Sequence, residues 1–432
     1  MTRASICSLR GTFSFFIRVL FIFILVADVV FLINTRHLWM NAPQISIDLD
    51  FLPALKNTLE SVVTSQSPAT SLKELNDFVY QNPDTPAAIL VQLLRQHLHT
   101  SPSAEVQRRK ACIRHTKDNI CFGGYAHYSQ HPDHTAHEIP TVLWEDDPQM
   151  NIYNLTHYPN GRQHNGLGTN MACIPLTLAG FAATKDPNNV VVELGPFLGL
   201  STKCIAVGMR KNGVKENTLF VYDTFSGLMN FRAIQRMHPW LKDEHPEYTQ
   251  QNDNFHFLWE YGVKPTFPTV ISRQGFISKE TLNPEALGHR PVALISIDSA
   301  KSNQHLQQQL AGLGPLTKGS ILMMMDFEFV REHIVLFYAC LRENYLLPVY
   351  LSWSLEHWMW IVTDDVDLAD PKHYQCYDEY KTNKDGRSRV VDLAMRDLLM
   401  LSGLTDGATV IEAFASVRNP LSEKIASVLR NS

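Results

Sequence analysis

Residues 190–202 decide the fold, and they read Val-Val-Val-Glu-Leu-Gly-Pro-Phe-Leu-Gly-Leu-Ser-Thr. Three consecutive β-branched residues predict a strand that is buried on both faces, as in a parallel sheet. The glycines at 195 and 199 predict a tight turn, because glycine adopts positive φ and lets a backbone approach a ligand closely. A helix predicted over 201–210 would present free N–H groups to a polar ligand at its first turn. Together these features favour an α/β domain with a ligand site at the loop.

Further buried strands are predicted after this loop, and most of them end at an acid. They cover 218–223, 269–271, 292–298 and 321–326, with Asp223, Asp298 and Asp326 at three of the ends. Ligands of open α/β sheets bind at the carboxyl ends of the strands, so we expect these acids to share one site. A helix is predicted over 331–344. The strands predicted at 349–353 and 357–363 must pair antiparallel, because the link between them is too short for a parallel crossover.

Three motifs in this region resemble known methyltransferases. Glu193-x-Gly195-x-x-x-Gly199 resembles the first motif of class I S-adenosylmethionine-dependent methyltransferases. Residues 223–228, Asp-Thr-Phe-Ser-Gly-Leu, resemble the D-T-F-x-G signature of the macrocin O-methyltransferase family of sugar methyltransferases. Residues 269–276 are similar to that family's third strand and its glycine-aromatic turn. The resemblance covers about 165–365 and implies a Rossmann-like class I methyltransferase sheet that ends in an antiparallel hairpin.

The resemblance also implies a cofactor and the residues that bind it. An acid at the end of the second strand can accept both hydroxyls of a ribose, as in nucleoside-binding folds generally. The implied cofactor is S-adenosylmethionine. The implied contact residues are Glu193, Gly195, Pro196, Gly199, Ser201, Thr202, Asp223, Gly275 and Asp298.

The candidate catalytic residues are Asp298 and Lys301. Asp298-Ser-Ala-Lys301 is similar to the D-x-x-K motif of catechol-type O-methyltransferases, in which the Asp binds a divalent metal and the Lys acts as base. The pKa of a lysine beside a buried acid and a bound cation can be lowered, as that role requires. The alternative is that Lys301 is a solvated residue on the surface of the helix that begins there.

Asp298 and Asp326 are the candidate metal ligands. Mg²⁺ prefers oxygen ligands and keeps several waters, so two carboxylates can suffice. Two further acids of the related patterns are replaced by Ala300 and Phe327, and Glu328 could substitute for one of them. A metal-free site, in which Asp298 orients the substrate or the cofactor ammonium, is the competing hypothesis.

The N-terminal region predicts membrane attachment. Residues 11–34 are overwhelmingly apolar and long enough to span a bilayer. Arginines precede the apolar core and favour a cytoplasmic N-terminus, namely Arg3, Arg10 and Arg18. We therefore predict a single-pass type II signal anchor, with a cytoplasmic tail over 1–10 and a catalytic domain in the lumen of the endoplasmic reticulum or Golgi. A cleaved signal peptide ending near Ala27 is the alternative.

The rest of the chain is assigned more coarsely. Residues 35–150 are predicted to form a stem with helical spacing over 72–80 and 87–98, followed by the methyltransferase domain over 151–405 and a C-terminal segment over 406–432. The insertion at 228–263 is rich in aromatic residues, which could stack on a sugar ring or form the hydrophobic base of a lid. Residues 165–169 could cover the cofactor.

Cysteine usage and one sequon fit a lumenal domain. Cys112 and Cys121 lie close enough in sequence to bridge, whereas Cys204 is predicted to be a buried thiol. Asn154-Leu-Thr156 is a glycosylation sequon, which is usable only in the lumen.

The predicted function is S-adenosylmethionine-dependent O-methylation of a sugar or glycan hydroxyl, or of a small phenolic. The formal net charge of −5 and the absence of a Lys/Arg stripe disfavour nucleic acid as the partner. A catalytically silent cofactor-binding module of the same fold is one alternative. A type II glycosyltransferase is another, because Asp48-Leu-Asp50 mimics the metal motif of such enzymes. The sequence does not indicate an oligomeric state.

Overall fold

The computed structural model describes residues 69–98, 158–159, 170–215, 218–327, 331–351 and 357–382, and part of 390–401. All of them lie in one compact unit, Gln66–Ser432. Several predicted features lie outside the described residues: the cytoplasmic tail, the membrane anchor, Asp48–Asp50, the Cys112–Cys121 pair, the glycosylation sequon and the covering segment at 165–169. Among the helices that are described, none combines the length and apolar character of a membrane span.

Seven strands form one mostly parallel sheet in the order β3-β2-β1-β4-β5-β7-β6. Strand β7 runs antiparallel to both of its neighbours, β5 and β6, and the other pairs are parallel. This arrangement confirms the predicted α/β class and the antiparallel ending. The strands are β1 (Val190–Leu194), β2 (Leu219–Asp223), β3 (Ile271–Gln274), β4 (Val292–Ile297), β5 (Ile321–Met324), β6 (Leu346–Leu351) and β7 (Trp358–Val362).

Helices connect these strands and precede them. A π-helical segment, Leu336–Leu341, continues α9. The described helices are α1 (Ala69–Gln81), α2 (Pro86–Leu98), α3 (Asn170–Ala183), α4 (Leu200–Lys211), α5 (Leu228–Met237), α6 (Leu241–Glu244), α7 (His256–Val263), α8 (Asn303–Leu310), α9 (Arg331–Val335) and α10 (Pro371–Thr382).

Three predicted elements have different limits in the structure. Strand β3 begins at Ile271, where the prediction ended, because its register pairs Ile271 with Phe220 of β2. Strand β6 begins at Leu346, ahead of Pro348, and this proline is tolerated because β6 is the edge strand. The helix predicted over 331–344 is instead α9 followed by the π-helical segment.

Helices α3 and α4 pack at very short range. A Cβ on Gly208 would lie 1.9 Å from the Thr177 carbonyl oxygen, so only glycine fits at this contact. The prediction of a free buried thiol at Cys204 is wrong, since Cys204 forms a disulfide with Cys173 of α3. The sequence separates these cysteines by 31 residues, and only the packing of the two helices brings them together.

The predicted helices of the N-terminal region are confirmed as α1 and α2, and they belong to the same compact unit as the sheet. The Ala87 N–H of α2 donates to the Gly319 carbonyl before β5 at 2.9 Å. A buried ion pair joins Arg342 to Asp397, and the Ser71 hydroxyl of α1 bonds to both side chains. Helix α1 is therefore part of the sheet domain rather than a separate stalk.

Candidate active site

The loops that leave the first five strands converge at one edge of the sheet. The strand order reverses between β1 and β4, which makes this edge the topological switch point where ligands bind in α/β sheets. The predicted acids Glu193, Asp223, Asp298 and Asp326 all lie there. Four backbone hydrogen bonds of 2.9 Å extend the strand pairing into these loops. In each, an N–H donates to the carbonyl of a neighbouring strand: Gly195 to Tyr222, Asp298 to Leu194, Gly275 to Asp223 and Met325 to Ile297.

Gly195 brings the loop after β1 into contact with the loop after β4. Its φ is +82°, and a Cβ at this position would lie 2.8 Å from the Ser299 backbone nitrogen. The two loops therefore touch through backbone atoms at the switch point. Glycine is needed here for contact within the protein, in addition to any approach to a ligand.

The insertion at 228–263 packs so closely on Gly199 that a larger residue would not fit there. At φ +92°, a Cβ would lie 2.4 Å from Val263 and 2.8 Å from the Trp259 ring, both on α7. The Trp259 indole N–H donates to the Thr202 hydroxyl at 3.4 Å. Helix α7 thus rests directly on the glycine loop. Of the two roles considered for the aromatic residues of the insertion, the hydrophobic base fits Trp259, which is fully buried.

Glu193 is a buried carboxyl group beneath the glycine loop. The Thr202 hydroxyl donates to one of its oxygens, and the other has no hydrogen-bond partner among the described residues. Burial raises the pKa of Glu193 to about 7, and the nearby hydroxyl groups of Ser201 and Thr202 oppose this rise. A buried polar atom without a partner is uncommon in folded proteins, and it marks a place for a ligand or water.

Asp223 forms hydrogen bonds to both the loop after β1 and the loop after β2. Its carboxylate accepts the Phe225 backbone N–H at 2.8 Å and also bonds to the backbone of Phe197 in the glycine loop. Burial raises its pKa, and these hydrogen bonds oppose the rise. The side chain is partly exposed.

Lys301 bridges the two predicted metal ligands. Its Nζ lies 3.0 Å from Asp298 Oδ1 and 2.7 Å from Asp326 Oδ2. Desolvation raises the pKa of Asp298 to about 6, although its side chain is still 31% exposed. Desolvation lowers the pKa of Lys301, but the attraction of the two aspartates outweighs it, so its pKa is raised. The raised pKa of Lys301 differs from the lowered pKa that the role of base requires.

The loop that carries Lys301 is held on both sides. The Ser299 hydroxyl donates to the Gln309 side chain at 2.8 Å, and Ser302 caps α8 by accepting the His305 N–H at 3.2 Å. The Asn303 N–H donates to the Glu332 carboxylate at 3.0 Å. Lys301 therefore lies on the loop before α8, not on the helix surface where the alternative hypothesis placed it, and its ammonium contacts the two aspartates.

Ala300 and Phe327, which stand where the resembled patterns have acids, are internal residues. Phe327 is fully buried, with its ring centroid 5.4 Å from those of Phe337 and Trp358, and Ala300 is 4% exposed. Glu328 lies outside the described residues. In the part of the chain that is described, His, Cys, Asp and Glu side chains form no group of three or more that could hold a metal.

Unusual backbone conformations concentrate at this edge. Phe197, Phe225 and Asp326, which follow β1, β2 and β5, have φ between +51° and +55°. Side chains rarely adopt such angles, and residues held in them cluster at functional sites. One of these residues, Asp326, is the partner of Lys301 at 2.7 Å.

Two buried groups near the site carried no signal in the sequence. Lys203 of α4 is fully buried, and burial lowers its pKa to about 7. His333 of α9 is also fully buried, and burial lowers its pKa to about 4, with Lys301 contributing in the same direction. Neither residue belongs to a motif, and only tertiary packing places them behind the loops.

One aromatic side chain at this edge is open to solvent. Phe276, in the turn after β3, is 82% exposed, and it adjoins Gly275, whose φ is +141°.

Comparison of the chain with known protein families, with curated proteins and with solved structures finds no match.

Proposed function

We propose that this chain is an S-adenosylmethionine-dependent O-methyltransferase that acts on a hydroxyl group of a sugar, a glycan or another small molecule. The observation that carries the proposal is the junction of the Gly195 loop with Ser299 at the switch point of the sheet. Around that junction lie the acids that the motifs predicted, Glu193, Asp223 and Asp298.

The residues at this junction fit the cofactor. Glu193 offers a buried carboxyl oxygen without a partner among the described residues, and Asp223 offers a carboxylate toward a ribose. Of the proposed contact residues, Gly195, Ser201, Asp223, Gly275 and Asp298 are accessible, whereas Glu193, Pro196, Gly199 and Thr202 are buried. The sulfonium and ammonium groups of the cofactor are positively charged, and the acidic edge complements that charge.

Catalysis requires that the acceptor hydroxyl be aligned and lose its proton. When bound, S-adenosylmethionine supplies a methyl group whose carbon–sulfur bond breaks, with the electron pair remaining on sulfur. Alignment supplies the larger share of the rate, and a positioned base adds about 10²–10⁴-fold.

Asp298 and Lys301 divide these tasks in our proposal. Both are partly exposed, so a hydroxyl group can reach them. The Lys301 ammonium already donates to two carboxylates, and its remaining N–H can donate to the acceptor oxygen and hold it in place. A carboxylate oxygen of Asp298 then accepts the hydroxyl proton. This assignment moves the role of base from Lys301 to Asp298.

Transfer of a labelled methyl group from S-adenosylmethionine to a panel of glycans and phenols tests the proposal. We expect Asp298→Asn to lower turnover by about 10²-fold or more at saturating cofactor. Asp364→Asn, which removes an exposed acid in the turn after β7, is the matched control and should leave turnover unchanged. Transfer that is unaffected by Asp298→Asn would remove this residue from the reaction.

A catalytically silent module of the same fold is the second candidate. The specific observation in its favour is that Ala300 and Phe327 are internal at positions where the resembled patterns have acids. Tight binding of the cofactor without transfer to any acceptor would favour this candidate.

We also propose that the domain is lumenal and anchored by residues 11–34. Two disulfides support this placement, Cys173–Cys204 and Cys340–Cys376, because disulfides persist in oxidising compartments. Protection of the domain from added protease in sealed microsomes tests this placement.

A further inference from the structure

We propose that the Lys301 ammonium is the resident cation of this site and occupies the position between Asp298 and Asp326 that a divalent metal would need. The resemblance to catechol-type enzymes implies a metal there, and with Lys301 in place the described residues do not fit one. The role of this cation in catalysis rests on the proposed function, but the experiment that tests the inference does not.

The geometry leaves one place for a cation between the two carboxylates. Nζ lies 3.0 Å from an oxygen of Asp298 and 2.7 Å from an oxygen of Asp326, which are charge-assisted hydrogen-bond distances. A magnesium ion needs its oxygen ligands at about 2.0–2.1 Å in near-octahedral geometry. An ion that used both carboxylates would therefore have to displace Nζ.

The position of the ammonium is built into the chain. Lys301 stands on a short loop between β4 and α8 that is fixed by Ser299 on one side and Asn303 on the other. Asp326 adopts a φ of +55°, a conformation that Asp tolerates better than most residues. Both partners of the lysine are thus held by backbone structure rather than by the ion pair alone.

Apart from the two aspartates, the described residues offer no further metal ligand at this position. Ala300 and Phe327 supply no oxygen from their side chains, and both are buried. Among the residues that the structure describes, no third acid, histidine or cysteine joins Asp298 and Asp326. One positive charge from Lys301 against two carboxylates leaves the cluster anionic, which suits a cationic cofactor.

Removing the lysine should therefore create a metal site. Without the ammonium, two carboxylates would lie close together with no counter-ion, and a divalent cation would relieve their repulsion. Lys301 is 53% exposed, so its removal should not unfold the chain.

Electron paramagnetic resonance of Mn²⁺ added to the full-length chain tests this inference. We expect wild-type protein to leave Mn²⁺ free, and Lys301→Ala to bind it about tenfold or more tightly than wild type. Lys301→Ser provides a second variant of the same kind. Adding Asp326→Asn to Lys301→Ala should abolish the new binding.

Lys372→Ala is the matched control, because Lys372 pairs with a single carboxylate, Asp370, at 2.9 Å. This variant should bind no more Mn²⁺ than wild type. Mn²⁺ binding by wild type that Asp298→Asn removes would overturn the inference, as would folded Lys301 variants that bind no more tightly than wild type. Because Mn²⁺ binding is read without methyl transfer, failure of the proposed function would leave these results unaffected.

Discussion

Replacing Gly199 by alanine tests whether helix α7 rests on the glycine loop. The new Cβ would lie 2.4 Å from a Val263 methyl carbon and 2.8 Å from the Trp259 ring. Such distances require the neighbours to move, and overpacking of this kind costs about 1–3 kcal/mol. The φ of +92° adds about 1–2 kcal/mol for any residue with a Cβ. We therefore expect Gly199→Ala to lower the free energy of unfolding by about 2–5 kcal/mol.

Gly213→Ala is the control that separates these two contributions. Gly213 also has a positive φ, +73°, but no atom lies within 4 Å of the position of its added Cβ. It should therefore show only the backbone cost of about 1–2 kcal/mol. Urea unfolding followed by tryptophan fluorescence measures both values. If Gly199→Ala destabilises the protein no more than Gly213→Ala, then α7 does not contact the loop as described.

Three further predictions concern stability. Asp397→Asn should cost about 3 kcal/mol in urea unfolding, because it leaves the buried Arg342 guanidinium with only the half-exposed Glu74 as a charged partner. The pKa of Glu193 is raised by burial to about 7, so the proton it holds stabilises the native state fully below pH 4.5, and this contribution is lost as pH rises through 7. Glu193→Gln should therefore remove a decline of about 3 kcal/mol in the free energy of unfolding between these limits. Breaking the Cys173–Cys204 disulfide by Cys173→Ser should cost about 3–4 kcal/mol, since the bridge closes a loop of 31 residues.

The first of these predictions has a control variant, and all three have a result that would contradict them. Asp370→Asn breaks an ion pair whose lysine is exposed and should destabilise the protein much less than Asp397→Asn does. An equal loss in the two aspartate variants would contradict the buried network around Arg342. A stability profile that keeps its slope in Glu193→Gln would assign the pH dependence to another group. Non-reducing peptide mapping that finds Cys173 as a free thiol would exclude the first disulfide.

The parts of this fold that follow local chemistry could be predicted from the sequence. The valines of β1, the glycines after them and the acids at strand ends each mark a requirement that one residue type meets, such as burial on two faces or a positive φ. The order of those signals along the chain was enough to place Glu193, Asp223, Asp298 and Asp326 at one edge. The antiparallel ending followed from the length of one link.

The parts that depend on contacts between distant elements could not be predicted. Cys173 and Cys204 meet only because α3 and α4 pack through glycines, and Gly199 faces Trp259 only because the insertion folds back on the loop. The spacing of Asp298 and Lys301 indicated that they are close, but it gave no information on Asp326, whose distance to the lysine depends on the packing of β5 beside β4.

Calorimetric titration of the full-length chain with S-adenosylhomocysteine tests the central claim most directly. We predict binding in the micromolar range that persists in the presence of a chelator and weakens when Asp223 is changed to Asn. The loss at Asp223 would reflect the missing charge opposite the ribose hydroxyls. Folded protein that releases no heat and shows no saturation would contradict both the cofactor assignment and the proposed methyltransferase activity.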